Sequence, residues 1–214
     1  MVPSIVFELL EHIHKYYPIG LPQIAHEHKG YADIKNRIAV KVNEIIENKK
    51  TRWTTLIEDI KKAYPYLQVS DFGHLQFPNY LVSIEVEKNE TKQITYTKSL
   101  VLCISLLVDY YTVYFEDLVR IKDKEEGYDH AGSLNYDVVY FNSCKERDCF
   151  EKGYLLKKLA GQAFSTKKFV DHKILYDYKI LGGAKYGDEY NSLNESTIFQ
   201  FLFNNDELPS EILD

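Results

Sequence analysis

The run that decides the fold is Tyr80 to Leu118, YLVSIEVEKNETKQITYTKSLVLCISLLVDYYTVYFEDL. Its opening, Tyr80–Lys88, alternates apolar and polar residues, with Leu81 out of phase. A period of two is the mark of a half-buried strand. Asn89-Glu90 reads as a tight turn. Ile94–Val108 is then β-rich, Asp109 interrupts, and Tyr110–Leu118 resumes. Tyr136–Phe141 (YDVVYF) reads as a further strand. Short interruptions between successive strands predict an antiparallel meander with helices on one face.

Helices to cover it lie upstream. Ser4 stands where an N-cap would, ahead of Ile5, Leu9 and Ile13, with Val6 and Leu10 alongside. Pro18 and Gly20 end that helix near Tyr17. After a His-, Pro- and Gly-rich loop, Asp33 takes the next N-cap position, before Ile34, Ile38, Val42, Ile45 and Ile46. Asn48-Lys49-Lys50 looks like a turn. A third helix places Trp53, Leu56, Ile57, Ile60 and Tyr64 on one face and ends before Pro65.

Downstream the pattern is weaker. Phe150–Phe164 reads as a helix with Tyr154, Leu155, Lys158, Leu159 and Gln162 roughly in register. Phe169–Leu181 alternates weakly, with Val170, Ile174, Tyr176, Tyr178 and Ile180 inward, until Gly182-Gly183. Ser196–Phe203 is a short apolar segment of no assigned type. With no internal repeat and no linker, the chain reads as one α+β domain over 1–214, helical to about 65 and β-rich over about 78–205. N-terminal helices pack on a mostly antiparallel sheet meander.

Composition narrows the class. Apolar residues make up 45% of the 214 and charged residues 27%, a globular balance. The net charge of −6 is uneven. Residues 1–107 hold 13 basic and 12 acidic side chains, residues 108–214 hold 13 and 20, and no basic residue follows Lys185. An acidic surface repels phosphate backbones and attracts a basic protein, so a protein partner is expected and direct nucleic-acid binding is not. Tyrosine is over-used, at 18 copies against one Trp and one Met. It serves either as an amphipathic packing residue or as a contact surface.

Three cysteines, Cys103, Cys144 and Cys149, do not make a disulfide framework. The start, MVPSIVFELLEHIHK, has no basic n-region and carries Glu8 and Glu11 too early for a signal peptide. The longest apolar stretch, Leu100–Val108, is far short of the ~20 residues of a membrane span. These features predict a cytoplasmic protein with no membrane role.

Motifs for chemistry are scarce. His12 and His14 would point about 200° apart on a helix. His26 and His28 lack a local third ligand, with only the remote His74 or His130 to complete a site. Cys144 and Cys149 have no second pair at zinc spacing, and a Cys144–His130 couple has no local signature. No G-x-S-x-G elbow occurs, and Ser105 reads as a hydrogen-bonded core hydroxyl. LGGAKYGDE lacks the phosphate-loop pattern and reads as a glycine turn. Glu85 and Glu87, two apart on a strand, share a face and read as its solvated side opposite Val82, Ile84 and Val86. No catalytic residue, metal ligand or cofactor is assigned.

Two acidic clusters interleaved with tyrosine remain. Asp123, Glu125, Glu126, Tyr128 and Asp129 follow one strand, and Asp188, Glu189 and Tyr190 follow the double glycine. Carboxylates to pair Lys and Arg, with rings for contact area, make these the expected partner-binding residues.

Four stretches in order carry a resemblance: KTRWTTLIEDIKKAYP, FPNYLVSIEVE, LVLCISLLVDYYTVYFEDL and TIFQFLFNND. The arrangement resembles the small cytoplasmic immunity proteins that accompany bacterial polymorphic toxins. The resemblance implies a non-catalytic inhibitor that neutralises a toxin enzyme, here a basic one, by direct binding; it assigns no residue a role. The rival expectations are a small enzyme or ligand-binding protein with a site built from distant residues, and a structural or assembly subunit.

Overall fold

A computed structural model describes residues 2–20, 27–47, 49–92, 94–121, 132–139, 147–187 and 195–203. The meander is present. Strands β1 (Gln68–Asp71), β2 (Asn79–Glu90), β3 (Ile94–Ser105), β4 (Tyr110–Ile121) and β5 (Gly132–Val139) lie in chain order, each antiparallel to the next. The first hairpin turns later than Asn89-Glu90. β2 stays paired to Glu90, and Thr91 closes the turn, donating its N–H to the Ile94 carbonyl at 2.8 Å and accepting the Ile94 N–H on Oγ1 at 3.0 Å. β1 is an addition, because four residues (QVSD) are too few to show a period.

The helices are α1 (Ser4–Tyr16), α2 (Lys29–Ile46), α3 (Arg52–Ala63), α4 (Arg147–Ala163), α5 (His172–Asp177) and α6 (Ile198–Leu202). Three short strands, β6 (Lys168–Phe169), β7 (Lys179–Leu181) and β8 (Glu195–Thr197), complete the order; β6 runs parallel to β4, and β7 and β8 form a separate antiparallel pair. Pro3 stands at the N-cap position of α1, with no side-chain cap, and Ser4 is its first helical residue. α2 begins ahead of Asp33, because the His28 ring accepts the Gly30 N–H at 3.2 Å and so serves as its cap. Asp33 instead pairs with Arg37 one turn on, at 3.2 Å. The expected strand over Phe169–Leu181 is broken by α5, where Asp171 accepts the Lys173 N–H at 3.0 Å and starts a helix. Thr197 and Gln200 form a capping box that starts α6.

α4 also turns a different stripe inward from the expected one. Cys149, Gly153, Leu156 and Ala160 are buried, whereas Tyr154 is exposed.

Helices cover both faces of the sheet, not one. On one face α3 and α4 pack on Val82, Ile84, Leu100, Leu102, Ile104, Val113 and Phe115. On the other, α1, α2, α5 and α6 surround Leu81, Val101, Cys103 and Tyr114. A strand sends alternate side chains to opposite faces, so two-sided burial explains why Leu100–Val108 reads as one unbroken apolar run. Tyrosine hydroxyls tie distant segments to this frame. Tyr17 donates to the Phe201 carbonyl at 2.5 Å, Tyr31 to Ala184 at 2.7 Å and Tyr111 to Lys157 at 3.2 Å. Much of the tyrosine excess is thus interior. Ser105 is the expected core hydroxyl, donating to the Leu202 carbonyl at 2.6 Å.

Candidate functional site

Rings are exposed toward both ends of the sheet: Phe7, 59% exposed, is on α1, whose Glu8 accepts from Tyr110 at the Ser105–Tyr110 end. At the end where β3 begins and β4 finishes, Ile94 pairs with Ile121, and Ile121 with Gly132. α4 starts near this end, since its Cys149 acts on Tyr96, and α3 is tied to it where Tyr64 donates its hydroxyl to the Lys152 carbonyl at 2.6 Å. Three rings on or just after these two helices are in the open: Tyr66 at 96% exposure, Tyr154 at 58% and Phe150 at 48%. Phe150 and Tyr154, one helical turn apart, stack with centroids 6.5 Å apart and planes 15° from parallel. Arg147–Glu151 (2.8 Å) and Asp148–Lys152 ion pairs flank them on the same helix. On the sheet beside α4, Tyr96 donates to Asp117 at 2.9 Å; burial first, and then Asp117, push its pKa above the usual range.

All eight expected partner-binding residues, Asp123, Glu125, Glu126, Tyr128, Asp129, Asp188, Glu189 and Tyr190, lie outside the described residues. The residues that bracket them are described. Ile121 and Gly132 bracket the first cluster at the Ile94 end of the sheet. Gly187 and Glu195 bracket the second. Nearby, the Gly182 carbonyl accepts from Gly20, and the Lys185 carbonyl accepts from Tyr31 at 2.5 Å, close to the ends of α1 and α2. That is the Ser105–Tyr110 end of the sheet, because α2 also donates from Arg37 to the Leu106 carbonyl at 2.9 Å. β4 spans roughly 35 Å between the two ends at ~3.4 Å per residue. The two clusters are therefore rooted far apart.

Glu85 and Glu87 do not share a face. A β-bulge lies between them: Glu85 opposes Ser99, and Glu87 opposes Lys98. Neighbours on β3 point to opposite sides, so the two carboxylates do as well. Lys88 accordingly lies on the Glu85 side, 3.9 Å from it. Among the described residues no three His, Cys, Asp or Glu side chains are grouped to hold a metal. His28 is a helix cap. Cys103 and Cys149 are buried, while Cys144, His26 and His130 lie outside the described residues. No helix among the described residues is long and apolar enough to cross a membrane.

Sequence reasoning missed Lys41, which is buried at the rim between the two faces. Its ammonium donates to the carbonyls of Leu75 (2.7 Å), Phe77 (2.9 Å) and Asn79 (2.8 Å). Burial lowers its pKa to about 7, with Asp71 pulling the other way. A desolvated lysine is a familiar nucleophile or base. Here, however, the three carbonyls occupy all three protons and favour the charged form, so the group acts as a clamp on the β1–β2 connection. Asp71 is itself held by the Trp53 indole N–H at 3.0 Å and the Gly73 N–H at 2.8 Å. A Cβ on Gly73 would stand 2.4 Å from that indole nitrogen, so only glycine fits. The mid-helix lysine between Val40 and Val42 gave no sequence signal, because its partners are main-chain atoms.

The face under α1 and α6 carries a second missed feature, a buried polar row. Asn79, Ser83, Ser105, Thr112 and Glu116 are all buried there beside Cys103. His172 stacks on Tyr114, with centroids 3.8 Å apart, and meets Phe199 edge-on at 4.8 Å. Burial drops its pKa to about 3, which keeps the ring neutral. Burial likewise pushes the Cys103 thiol well above the usual range, against smaller favourable contacts from Tyr114 and Asn79. A thiol so placed is inert as a nucleophile.

No protein-family model matches the chain, and no curated protein or solved structure matches it either.

Proposed function

We propose that the chain is a non-catalytic protein-binding domain of the immunity type, which neutralises a basic toxin enzyme by direct binding. The observation that supports this reading most is the trio of open rings, Tyr66, Phe150 and Tyr154, on or just after α3 and α4. At the Ile94 end of the sheet, near which α4 starts, β4 leads into the stretch holding Asp123, Glu125, Glu126, Tyr128 and Asp129. Exposed aromatic anchors beside carboxylates suit a partner rich in Lys and Arg, with the rings slowing departure and the charges speeding arrival. The acidic excess of the second half of the chain works in the same direction.

Immunity genes adjoin toxin genes, so the test begins with the neighbouring gene product. Co-expression should abolish its toxicity, and the purified pair should associate more slowly as salt rises, because charges are screened over ~8 Å at physiological ionic strength. Reversing Asp123, Glu125, Glu126 and Asp129 to Lys should slow association roughly tenfold or more, whereas Tyr154→Ala should mainly speed dissociation. Unchanged rates in both folded variants against a verified partner would remove this interface from consideration. The paired reversal of Asp188 and Glu189, with Tyr190→Ala, asks whether the other end of the sheet takes part.

A further inference from the structure

The row formed by Asn79, Cys103 and Thr112 has more hydrogen-bonding capacity than the protein fills. Thr112 lies directly across from Cys103 in the β3–β4 register. Asn79 lies diagonally across on β2, opposite Ser105. All three side chains are on one face, where directly opposed Cβ atoms stand ~5 Å apart and diagonal ones ~7 Å. Asn79 is 1% exposed and Thr112 fully buried. Apart from the weak contact of Asn79 with the Cys103 sulfur, the Nδ2 and Oδ1 of Asn79 and the Oγ1 of Thr112 find no nitrogen or oxygen partner among the described residues. Leaving one such group bare lowers a folding constant roughly tenfold, and this row would bear that loss at both of its ends.

We propose that this row is an internal hydration site, in which ordered water is held by the Asn79 amide and the Thr112 hydroxyl on either side of the Cys103 thiol. The occupant must both donate and accept, because the Asn79 amide presents one group of each kind. It must be neutral: the buried Glu116 carboxylate, which acts on Cys103, disfavours an anion, a cation could not accept from the Asn79 Nδ2, and Lys41 is committed to main-chain carbonyls, one of them that of Asn79 itself. It must also be small enough to lie beneath α1 and α6 against a packed core. Water meets all three conditions, and protein interiors hold about one such molecule per ~27 residues, each with roughly three hydrogen bonds. The site belongs to the polar face of the sheet and is independent of the partner-binding reading.

The test compares the full chain with Thr112→Val, an isosteric change, and Thr112→Ser, which keeps the hydroxyl. Magnetic relaxation dispersion of ¹⁷O-labelled water counts long-lived internal molecules, and denaturant unfolding gives the folding constant. The expected result is a lower dispersion amplitude and a roughly tenfold lower folding constant for Thr112→Val, with Thr112→Ser retaining the wild-type amplitude. A bare hydroxyl predicts the opposite sign, since valine would relieve its burial and leave the protein as stable or more so. Unchanged dispersion amplitude in Thr112→Val overturns the proposal whatever the stability does. Asn79→Leu supplies the same comparison from the other end of the row if Thr112→Val does not fold.

Discussion

The two faces of the central sheet are built on different rules. Under α3 and α4, the sheet's buried apolar side chains, from Val82 to Phe115, form a dry layer. Under α1, α5 and α6, Cys103 and Tyr114 share the layer with Asn79, Ser83, Ser105, Thr112 and Glu116. Apolar packing is forgiving of partner identity, whereas each buried polar group needs a specific donor or acceptor. The first face is therefore held by apolar burial with little need for specific partners. The second fixes where the C-terminal elements sit, through contacts such as Ser105 to Leu202 and Tyr17 to Phe201.

Truncations on the two faces should differ accordingly, and this is the largest effect expected. Phe115→Ala on the dry face empties a fully buried ring site and should cost about 3–5 kcal/mol in chemical denaturation. Cys103→Ala removes one small group from the mixed face and should cost on the order of 1 kcal/mol. Equal losses would erase the distinction between the faces.

Acid should attack the mixed face first. His172 has its pKa lowered by burial to about 3, against 6.5 when exposed. Between those values the unfolded chain binds the extra proton, so stability contributed by the neutral ring is complete above pH 6.5 and is lost as pH falls toward 3. His172→Phe keeps an aromatic ring between Tyr114 and Phe199 and cannot titrate. At about pH 4 it should unfold later than the native chain by on the order of 3 kcal/mol, relative to the difference at neutral pH. Parallel stability curves from neutral to acid pH would show that His172 is accessible to protons in the native state.

The same contrast explains what the sequence disclosed. Periodicity reports burial of apolar side chains, so α1, α3 and the long strands β2, β3 and β4 were legible from residues such as Leu9, Ile13, Trp53 and Ile60. The short C-terminal pieces were not, because α5 and α6 are six and five residues long and their starts depend on Asp171 and Thr197 caps. Two-sided burial was hidden for a different reason: an unbroken apolar run names no face. The bulge at Val86 reversed the reading of Glu87, since one extra residue shifts every later side chain to the other side. Of the candidate interface, the acidic clusters were visible as composition. The open rings of α4 were not, because the helix turns a stripe inward about one position from the one its spacing suggests. Lys41, Asn79 and Thr112 left no trace, their environment being set by segments far away in the chain.

Lys41 lies at the rim where the two faces meet, and its titration gives the smallest and most specific prediction. Burial lowers its pKa to about 7 from 10.5, so above pH 7 the unfolded chain holds the proton more tightly than the native one. Stability should then rise with pH from about 7, by at most ~1.4 kcal/mol per unit. The rise is readable only to about pH 8.5. Beyond that, Cys103 and the buried tyrosines, whose native pKa values are raised, deprotonate first in the unfolded chain and reverse the trend. Opposing the rise are the three carbonyls of Leu75, Phe77 and Asn79, which an ammonium satisfies and a neutral amine satisfies less well. Lys41→Met should lose about 1–3 kcal/mol at every pH, because those carbonyls lose their donor. It should also lose the upward slope. If the native chain and Lys41→Met run parallel between pH 7 and about 8.5, the carbonyl cradle outweighs desolvation and Lys41 remains an ammonium throughout.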